Sequence, residues 1–444
     1  MLISARAKRT QVSDVSTFRR FGVSTFRRFD VSTFRLLWPL GLLLVLSACT
    51  PQPTPSPPTR LQQPRPAEVI RPPRPQDVWP PRAIWVVRQA YDSPQQIADL
   101  MEECSRAGLN TVLFQVRGNG TAFYRSAIEP FAYEYPSGDP GFDPLEVACR
   151  EAHRRGLALH TWVNVMPGWM GDYPPGDPNQ LYIRHPRWFW YDQHGKRQPL
   201  EWYSNLNPCW PEVRQYLVSV FQEIVQNYPV DGLHLDYIRF PRDKCPAGSD
   251  YPRDARTLAL YRQETGKRPD QDKAAWIRWR TDQVTALVGD IHRMMKRVRP
   301  SARLTAACHP MLEQTRNLYH QDGLTWLRGN LVDLVFLMNY TPHTKLYQAS
   351  QETWQKAAAG RPVAPGIAVS IPPDRPDQAN LDQLALARQW GNGFALFSNN
   401  ALFGPSNEDR RRLRAILPLL LTMQQEAKPR LAALDTGPPP RNPL

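Results

Sequence analysis

Short apolar segments alternate with helical stretches from residue 83 to residue 400, and this alternation constrains the fold more than any other feature. Apolar runs of this length between capped helices are typical of buried strands. Eight of them predict an α/β fold, a (β/α)8 TIM barrel with enlarged βα loops. An open doubly wound sheet is the alternative, but no glycine-rich phosphate motif follows the first strand. The predicted strands are residues 83–88, 110–120, 157–165, 230–241, 303–310, 333–340, 362–370 and 393–400.

The first two helices between these strands carry explicit start signals. Ser93-Pro94-x-Gln96 supplies an N-cap, a proline at the first helical position and a partner at the third. Asp143-Pro144-x-Glu146 repeats the pattern, and Gly108 and Gly156 mark the ends of the two helices. Helix and strand therefore follow one another in a βα order.

The segments before the first strand lie outside this pattern. A short apolar run ends in Leu46-Ser47-Ala48-Cys49, which resembles the bacterial lipoprotein signal, in which the cysteine is lipidated and begins the mature chain. A plain signal peptide or an uncleaved anchor are the alternatives. We expect a signal peptide at residues 1–48, lipidated Cys49 and a proline-rich tether at 49–81, the barrel domain at 82–428 and a disordered tail at 429–444.

A lipid anchor at Cys49 predicts a protein of the cell envelope that is attached to a membrane. Thr50 after the cysteine favours the outer membrane if the host has one. An eight-residue repeat that starts at Val15, Val23 and Val31 adds a further hypothesis, that residues 1–30 are not translated and Val31 is the true start.

The charge of the chain does not indicate a nucleic-acid partner. Of the formal net charge of +14, +6 lies in residues 1–35 and +3 in residues 60–82, which leaves +5 for the barrel. That excess is mild and no basic helix accompanies it.

The cysteines show no metal-ligand spacing, and no motif indicates a metal or another cofactor. We expect Cys104, Cys149 and Cys308 to be buried, and a disulfide between Cys209 and Cys245 stays open.

Polar side chains cluster where the predicted strands end, which is where barrel enzymes place their active sites. His234 and Asp236 are two residues apart and share one face of their strand. An aspartate at such a mouth is costly unless it is paired or works in a wet cleft. Asp231, at the other end of that strand, indicates a structural cap. The candidate ligand-binding residues at the mouth are Gln115, Arg117, His160, Trp162, Asn164, Trp169, His234, Tyr237, His309, Asn339 and Tyr340.

The loops at this mouth are rich in aromatic rings, which favours carbohydrate as the substrate. Rings stack on the C–H faces of sugars while amides, arginine and histidine bind the hydroxyl groups. Any single ring could instead only pack the long segment after the third strand. The rings are Trp169, Trp188, Phe189, Trp190, Trp202, Tyr203 and Tyr237.

Glycoside cleavage requires two carboxyl groups, one that protonates the leaving oxygen and one that acts as nucleophile or activates water. Asp236 is the first candidate. For its partner we rank Glu313 first, because its loop follows the fifth predicted strand at the same mouth. Glu129, Asp243 and Asp374 are the alternatives.

Long motifs, in the same order along the chain, resemble the glycosyl hydrolase-like 10 domain of exported bacterial lipoproteins. They are "NTVLFQVRGNGTAFYRSAIEPFA", "DPLEVACREAHRRGLALHTWVNV", "HPRWF", "NLNPCWPEVRQYL" and "VDGLHLDYIRFP", and the match runs from about Arg82 to about Phe403. The resemblance implies a barrel that acts on glycans, such as peptidoglycan strands without stem peptides. It also implies site roles for Arg117, Asn164, His234 and Asp236.

Two departures from known patterns concern the acids. Many members of that family have a second acid directly after the aspartate, where this chain has Tyr237. The same strand resembles the family 18 chitinase signature, but His234 and Ile238 replace two of its acids, which makes chitinase chemistry a poor fit.

Two hypotheses remain: a glycoside hydrolase, and a glycan-binding lipoprotein without catalysis. A closed ion pair of Asp236 with Arg239 or Arg117, without another acid nearby, would favour binding. An esterase is disfavoured because no GxSxG element is present.

Overall fold

The computed structural model describes residues 79–135, 138–242, 245–369 and 376–434. Cys49, the signal segment and the tether up to residue 78 therefore lie outside the described residues. Eight parallel strands close into a barrel, which confirms the predicted fold. The barrel strands are β1 (Arg82–Val86), β2 (Thr111–Arg117), β3 (Ala158–Asn164), β6 (Gly232–Asp236), β7 (Arg303–Cys308), β8 (Leu334–Leu337), β9 (Val363–Ala368) and β10 (Phe394–Phe397).

Helices cover the outside of the barrel. Strand β1 pairs with β2 on one side and with β10 on the other, so that the first and last strands close the ring. The helices are α1 (Pro94–Arg106), α2 (Pro144–Arg154), α3 (Leu181–Arg184), α4 (Pro211–Asn227), α5 (Ala255–Thr265), α6 (Lys273–Val298), α7 (Leu312–Tyr319), α8 (Gly323–Arg328), α9 (Thr344–Ala358), α10 (Pro376–Trp390), α11 (Asn399–Phe403) and α12 (Asn407–Leu434).

The predicted caps form as the sequence indicates. At the start of α1, the Ser93 hydroxyl accepts a hydrogen bond from the Gln96 backbone amide at 3.3 Å. The Asp143 carboxylate accepts the amides of Leu145 and Glu146 at 3.0 and 3.2 Å at the start of α2. The last helix, α12, ends at Leu434.

Large side chains fill the inside of the barrel in layers. Trp85 contacts Phe336 edge to face with ring centroids 5.8 Å apart. The Trp85 indole donates to Nε2 of His234 at 3.0 Å, and Nδ1 of His234 lies 2.9 Å from the Thr305 hydroxyl. Both ring nitrogens of His234 are therefore occupied inside the barrel, and burial holds its pKa well below the usual value.

The amino ends of the strands form the opposite face of the barrel, and Asp231 caps them as predicted. Its carboxylate accepts the Leu159 amide at 2.8 Å and lies 2.7 Å from Nε2 of His153. His160 packs here against Gly232, where a side-chain Cβ would come within 2.6 Å of the imidazole. Glycine at position 232 is what allows the ring to fit.

An insertion between β3 and α4 was not predicted as strands. It contains β4 (Pro167–Met170) and β5 (Tyr203–Asn205), which form a small antiparallel sheet. Phe189 and Trp190 are buried beneath it and form the local core of the insertion. Gly168 allows Phe189 to lie close, since a Cβ at that position would be 2.7 Å from the ring. Pro167 and Gly168 at the start of β4 argue against a regular strand, and β5 is only three residues long, so the sequence did not indicate either strand.

Five cysteines lie among the described residues. Cys104, Cys149 and Cys308 are buried as expected, and the described cysteines, Cys209 and Cys245 among them, form no disulfide. Burial raises the pKa of the Cys149 thiol well above its usual value. Within the described ranges, no helix combines the length and the apolar character needed to cross a bilayer.

Candidate active site

Asp236 ends strand β6 at the barrel mouth, where the sequence placed it. It is paired in register with Asn164 on the neighbouring strand β3. Oδ1 of Asp236 accepts the Tyr237 amide at 2.6 Å and Nη1 of Arg239 at 3.0 Å. The side chains of Asp236 and Arg239 are each 10% exposed, so this ion pair lies at the edge of solvent rather than in the core.

The backbone changes direction at the residue after Asp236. Tyr237 has a φ of 48°, in the left-handed region that tyrosine seldom adopts. Such a conformation costs of the order of 1 kcal/mol and persists only where the surroundings enforce it. Here the amide of Tyr237 bonds the Asp236 carboxylate, and Arg239 stacks on the Tyr237 ring at 4.3 Å. The turn therefore positions both the carboxylate and the aromatic ring at the mouth.

A second group of polar side chains lies on the other side of Asn164. Nε2 of Gln115 donates to Oδ1 of Asn164 at 3.4 Å, and Nδ2 of Asn164 lies 3.3 Å from the Tyr203 hydroxyl. Oε1 of Gln115 accepts the Arg88 amide at 3.1 Å. Tyr203 in turn contacts the Tyr237 ring with centroids 5.1 Å apart. These contacts connect the predicted residues Gln115 and Asn164 to the Asp236 turn.

Glu134 is the acid of this second group, and the sequence analysis missed it. Its Oε1 accepts Nε of Arg88 at 3.0 Å. Its Oε2 is buried and has no hydrogen-bond partner among the described residues. Burial lowers the pKa of Arg88, but Tyr203 and Glu134 outweigh it, so that this pKa is raised overall. The only sequence signal was an acid between two tyrosines, in the loop that follows β2.

Arg117 has a structural role, instead of the expected role in ligand binding. It is fully buried and its Nε and Nη2 bind the Glu129 carboxylate at 2.9 and 2.8 Å. Its Nη1 donates to backbone oxygens of the loop after β3, including that of Pro167 at 3.2 Å. The Tyr216 hydroxyl adds a hydrogen bond to Glu129 at 2.9 Å. This placement corrects two expectations, because neither Arg117 nor Glu129 has a group left for a ligand.

The two barrel histidines are also corrected. His234 is enclosed by Trp85 and Thr305, one layer below Asp236. His160 lies near the amino end of β3, on the side away from the mouth, and burial lowers its pKa to about 4. Alternation along a strand predicts which face a side chain occupies, but not how deep in the barrel it lies. Both histidines therefore have a structural role in the barrel, and neither lies at its open mouth.

The remaining predicted residues lie around the mouth at different depths. His309 stacks on Tyr319 with centroids 4.5 Å apart, and burial with the nearby Arg239 lowers its pKa to about 4. Asn339 is buried and donates to the Tyr347 backbone at 2.9 Å, so it holds the loop after β8. Tyr340 packs on Trp85, with centroids 6.3 Å apart, at the top of the barrel interior.

The predicted second acids are not gathered near Asp236 by any described contact. Glu313 is exposed in the first turn of α7, and its carboxylate forms no ion pair or hydrogen bond with the described residues. Asp243 and Asp374 lie outside the described residues. Glu313 therefore stays a prediction, beside Glu134 as a new candidate.

The aromatic residues divide into three groups. Phe189 and Trp190 belong to the core of the insertion. Trp188 lines a separate cavity at the rim. Trp162 lies inside the mouth, and its buried indole nitrogen has no partner among the described residues. A buried donor without a protein partner is costly unless water or a ligand satisfies it. The rings near the mouth are Trp162, Trp169, Trp202, Tyr203, Tyr237 and Tyr340.

Comparison with known proteins adds evidence independent of this geometry. The model of the family described as glycosyl hydrolase-like 10 matches residues 80–379. The chain belongs to the glycosyl hydrolase-like 10 family. The resemblance noted in its motifs is thereby confirmed.

Two curated relatives are similar over part of the chain. Glycosyl hydrolase YngK of Bacillus subtilis is 26% identical over 323 residues, which cover 64% of this chain and 59% of that protein. Glycosyl hydrolase DigH of Escherichia coli K12 is 28% identical over 279 residues, which cover 56% of this chain and 59% of that protein. The matched segment thus spans about three fifths of the length of each relative.

Solved structures support the fold of the glycosyl hydrolase-like 10 domain. The glycoside hydrolase domain of PgaB (BpsB) from Bordetella bronchiseptica superposes with a TM-score of 0.56 at 13% identity, over 75% of this chain and 98% of that one. The catalytic domain of β-amylase from Paenibacillus polymyxa superposes with a TM-score of 0.53 at 12% identity, over 76% of this chain and 96% of that one. At such identities the likeness shows the barrel fold alone.

Membership of the glycosyl hydrolase-like 10 family supports a hydrolase that acts on glycans. In the part of the chain that is described, no cluster of three or more His, Cys, Asp or Glu side chains is arranged to hold a metal ion. The mouth presents the Asp236 carboxylate and the hydrogen-bonding groups of Gln115 and Asn164.

Proposed function

We propose that this protein is an exported, lipid-anchored glycoside hydrolase that cleaves glycosidic bonds in cell-envelope glycan, with peptidoglycan strands as the favoured substrate. The carrying observation is the Asp236 carboxylate at the end of β6, held by Arg239 and by the Tyr237 amide at the edge of solvent. The family supports action on glycans, and the signal ending in Cys49 supports export and anchoring.

The proposed reaction uses a pair of carboxyl groups. One donates a proton to the leaving oxygen as the glycosidic bond breaks, and the other attacks the sugar or activates water. Arg239 and the Tyr237 amide donate hydrogen bonds to Oδ1 of Asp236 and orient its carboxylate, which suits the nucleophile or base. Glu134, whose second oxygen has no described partner, suits the acid, with Glu313 as the alternative. Aromatic rings and the free indole nitrogen of Trp162 would bind the sugar.

A glycan-binding protein without catalysis is the second candidate, and one observation favours it. The Asp236 carboxylate is engaged in an ion pair with Arg239 at 3.0 Å. If no second carboxyl group reached the bound sugar, that pair would serve only to bind hydroxyl groups. The presence of Glu134 in the connected network is what leads us to prefer the hydrolase.

Product analysis distinguishes the two candidates. The full-length chain is incubated with peptidoglycan glycan strands, with and without stem peptides, and the released fragments are separated and identified by mass spectrometry. A hydrolase releases fragments whose reducing ends name the bond, and Asp236→Asn releases none. Retained binding without any product from the wild-type chain would establish the binding protein instead.

The anchor has its own test, independent of activity. We expect the mature chain to begin at Cys49 with the mass of attached lipid, and Cys49→Ser to abolish both lipidation and membrane attachment. Mass spectrometry of the amino terminus and membrane fractionation measure this. An unmodified cysteine in the mature protein would refute the proposed anchor and leave the hydrolase proposal unaffected.

A further inference from the structure

A cavity of about 690 Å³ lies at the rim of the barrel, apart from the Asp236 mouth. Its walls come from residues 184–191 of the insertion and from the first turns of α4 and α5. The insertion follows β3 and α5 follows β6, so both segments leave the barrel at the carboxyl ends of strands. The cavity thus belongs to the same face as the mouth. Its volume is in the range of ligand sites, roughly 300–1,000 Å³.

The walls of this rim cavity contain aromatic rings held in place by their neighbours. The His185 and Trp188 rings are stacked with centroids 3.9 Å apart. The Tyr191 hydroxyl donates to the Pro186 backbone at 3.2 Å. Trp210 forms a further wall, and its indole nitrogen bonds the Thr257 hydroxyl at 3.2 Å. Fixed rings lose little entropy on binding and offer flat apolar faces to a sugar.

Arginines give the same cavity a positive character. Arg184 and Arg187 line it and are exposed, and neither forms an ion pair with the described residues. The two acids of the wall are already engaged: Glu212 pairs with Arg256, and Asp254 caps α5 through the Thr257 amide at 2.9 Å. Two guanidinium groups are therefore available for a ligand with negative charges. Guanidinium groups bind carboxylates well, because their geometry allows two parallel hydrogen bonds.

We infer that the rim cavity is a second binding site, for a glycan whose sugars carry carboxylate groups. The inference rests on the proposed function for its choice of glycan, because strands of peptidoglycan without stem peptides carry a free carboxylate on every second sugar. Rings of the cavity contact sugar faces, and Arg184 with Arg187 bind the carboxylates. A strand long enough to occupy rim and mouth together is held at high effective concentration near Asp236.

Binding measurements test this site without hydrolysis. The full-length chain carrying Asp236→Asn is titrated with three fluorescent probes: glycan strands without stem peptides, neutral chitin oligosaccharides and polyglutamate. The double variant R184A/R187A removes the cavity arginines. The control R150A/R154A removes the same number of charges from α2, at the amino-end face of the barrel. Circular dichroism and thermal unfolding verify that each variant is folded.

We expect the carboxylated strands to bind more tightly than either other probe. R184A/R187A should weaken that binding by roughly tenfold or more, since charge-assisted hydrogen bonds are lost, while R150A/R154A leaves it within about twofold. Added salt should weaken it as well. Equal binding by the two double variants overturns the inference. Equal binding of polyglutamate or of chitin oligosaccharides also overturns it, in favour of a simple polyanion site or a neutral glycan site.

The product assay separates this inference from the proposed function. If binding does not depend on Arg184 and Arg187 while the wild-type chain releases products normally, the rim site alone is refuted. Charge-dependent binding together with no product refutes the hydrolase alone.

Discussion

Two arginine–carboxylate pairs at the carboxyl face use glutamates from the same loop after β2, yet they differ in how completely they are closed. Arg117 and Glu129 are 0% and 1% exposed, and Tyr216 together with backbone oxygens completes their hydrogen bonds. Arg88 and Glu134 are 4% and 19% exposed, and one oxygen of Glu134 has no described partner. A closed pair supports the loop, whereas the open pair leaves one buried carboxylate oxygen of Glu134 without a described partner.

The largest effect is expected at Asp236, which belongs to neither pair and ends strand β6 at the mouth. Asp236→Asn should reduce glycan hydrolysis by about 10²–10⁴-fold, because a carboxylate that takes part in the chemistry is replaced by a neutral amide. The rate of fragment release, measured at saturating strand concentration, checks this. Activity within a few fold of wild type would remove Asp236 from the mechanism.

The closed pair should matter for stability. Glu129→Gln leaves the buried Arg117 without its counter-charge, which costs about 3–5 kcal/mol of unfolding free energy. Urea unfolding followed by circular dichroism measures this loss. Glu134→Gln, in the open pair, is the matched variant and should cost less, because Glu134 is 19% exposed and water can partly replace its contact with Arg88. Similar losses for both variants would erase the distinction between the two pairs.

The open pair should matter for catalysis. Glu134→Gln should lower kcat by about 10²-fold with a smaller change in KM, because the loss of a proton donor affects the transition state more than binding. Glu313→Gln is the matched control and should leave kcat within a few fold. The reverse pattern would return Glu313 to the role of second carboxyl group.

The buried imidazole of His160 should give a smaller, pH-dependent effect. Its pKa is lowered to about 4 in the folded protein, against an ordinary value of 6.5. Above pH 6.5 the ring is neutral in both states; between 6.5 and 4 the unfolded chain binds more protons, so stability is lost as the pH falls. From pH 6.5 to 5 this amounts to about 1.6 kcal/mol. Urea titrations of the wild-type chain and of His160→Gln check it, and equal slopes against pH would contradict it.

The outcome for the strands shows why so much of the fold was predictable. A strand such as β6 is marked by its own apolar residues, and a helix such as α2 by the Asp143 cap, so local signals suffice. The β4–β5 sheet was missed because both strands are short, and because β4 also begins with proline and glycine. Its position depends on packing over Phe189 and Trp190, which are distant from one of its strands in sequence.

The candidate site was predictable where position along a strand was enough. Asp236, Asn164 and Gln115 were assigned to the mouth because they follow apolar strands, and they lie there. His160 was assigned to the same place by the same argument and lies at the other end. Depth in a barrel depends on strand stagger and on partners such as Gly232, and neither can be read from one strand.

The amino-acid sequence by itself determined the alternation of strands and helices, the caps and the aspartate at the end of β6, because these depend on residues near one another in the chain. Only the tertiary structure decided which loop glutamate is closed by Arg117 and which is left open beside Arg88. In the sequence Glu129 and Glu134 are two acids of one loop. Arg117 ends strand β2, whereas Arg88 lies in a short 3₁₀ helix (Arg88–Ala90) after β1, and only the folded barrel brings Arg88 next to the loop after β2.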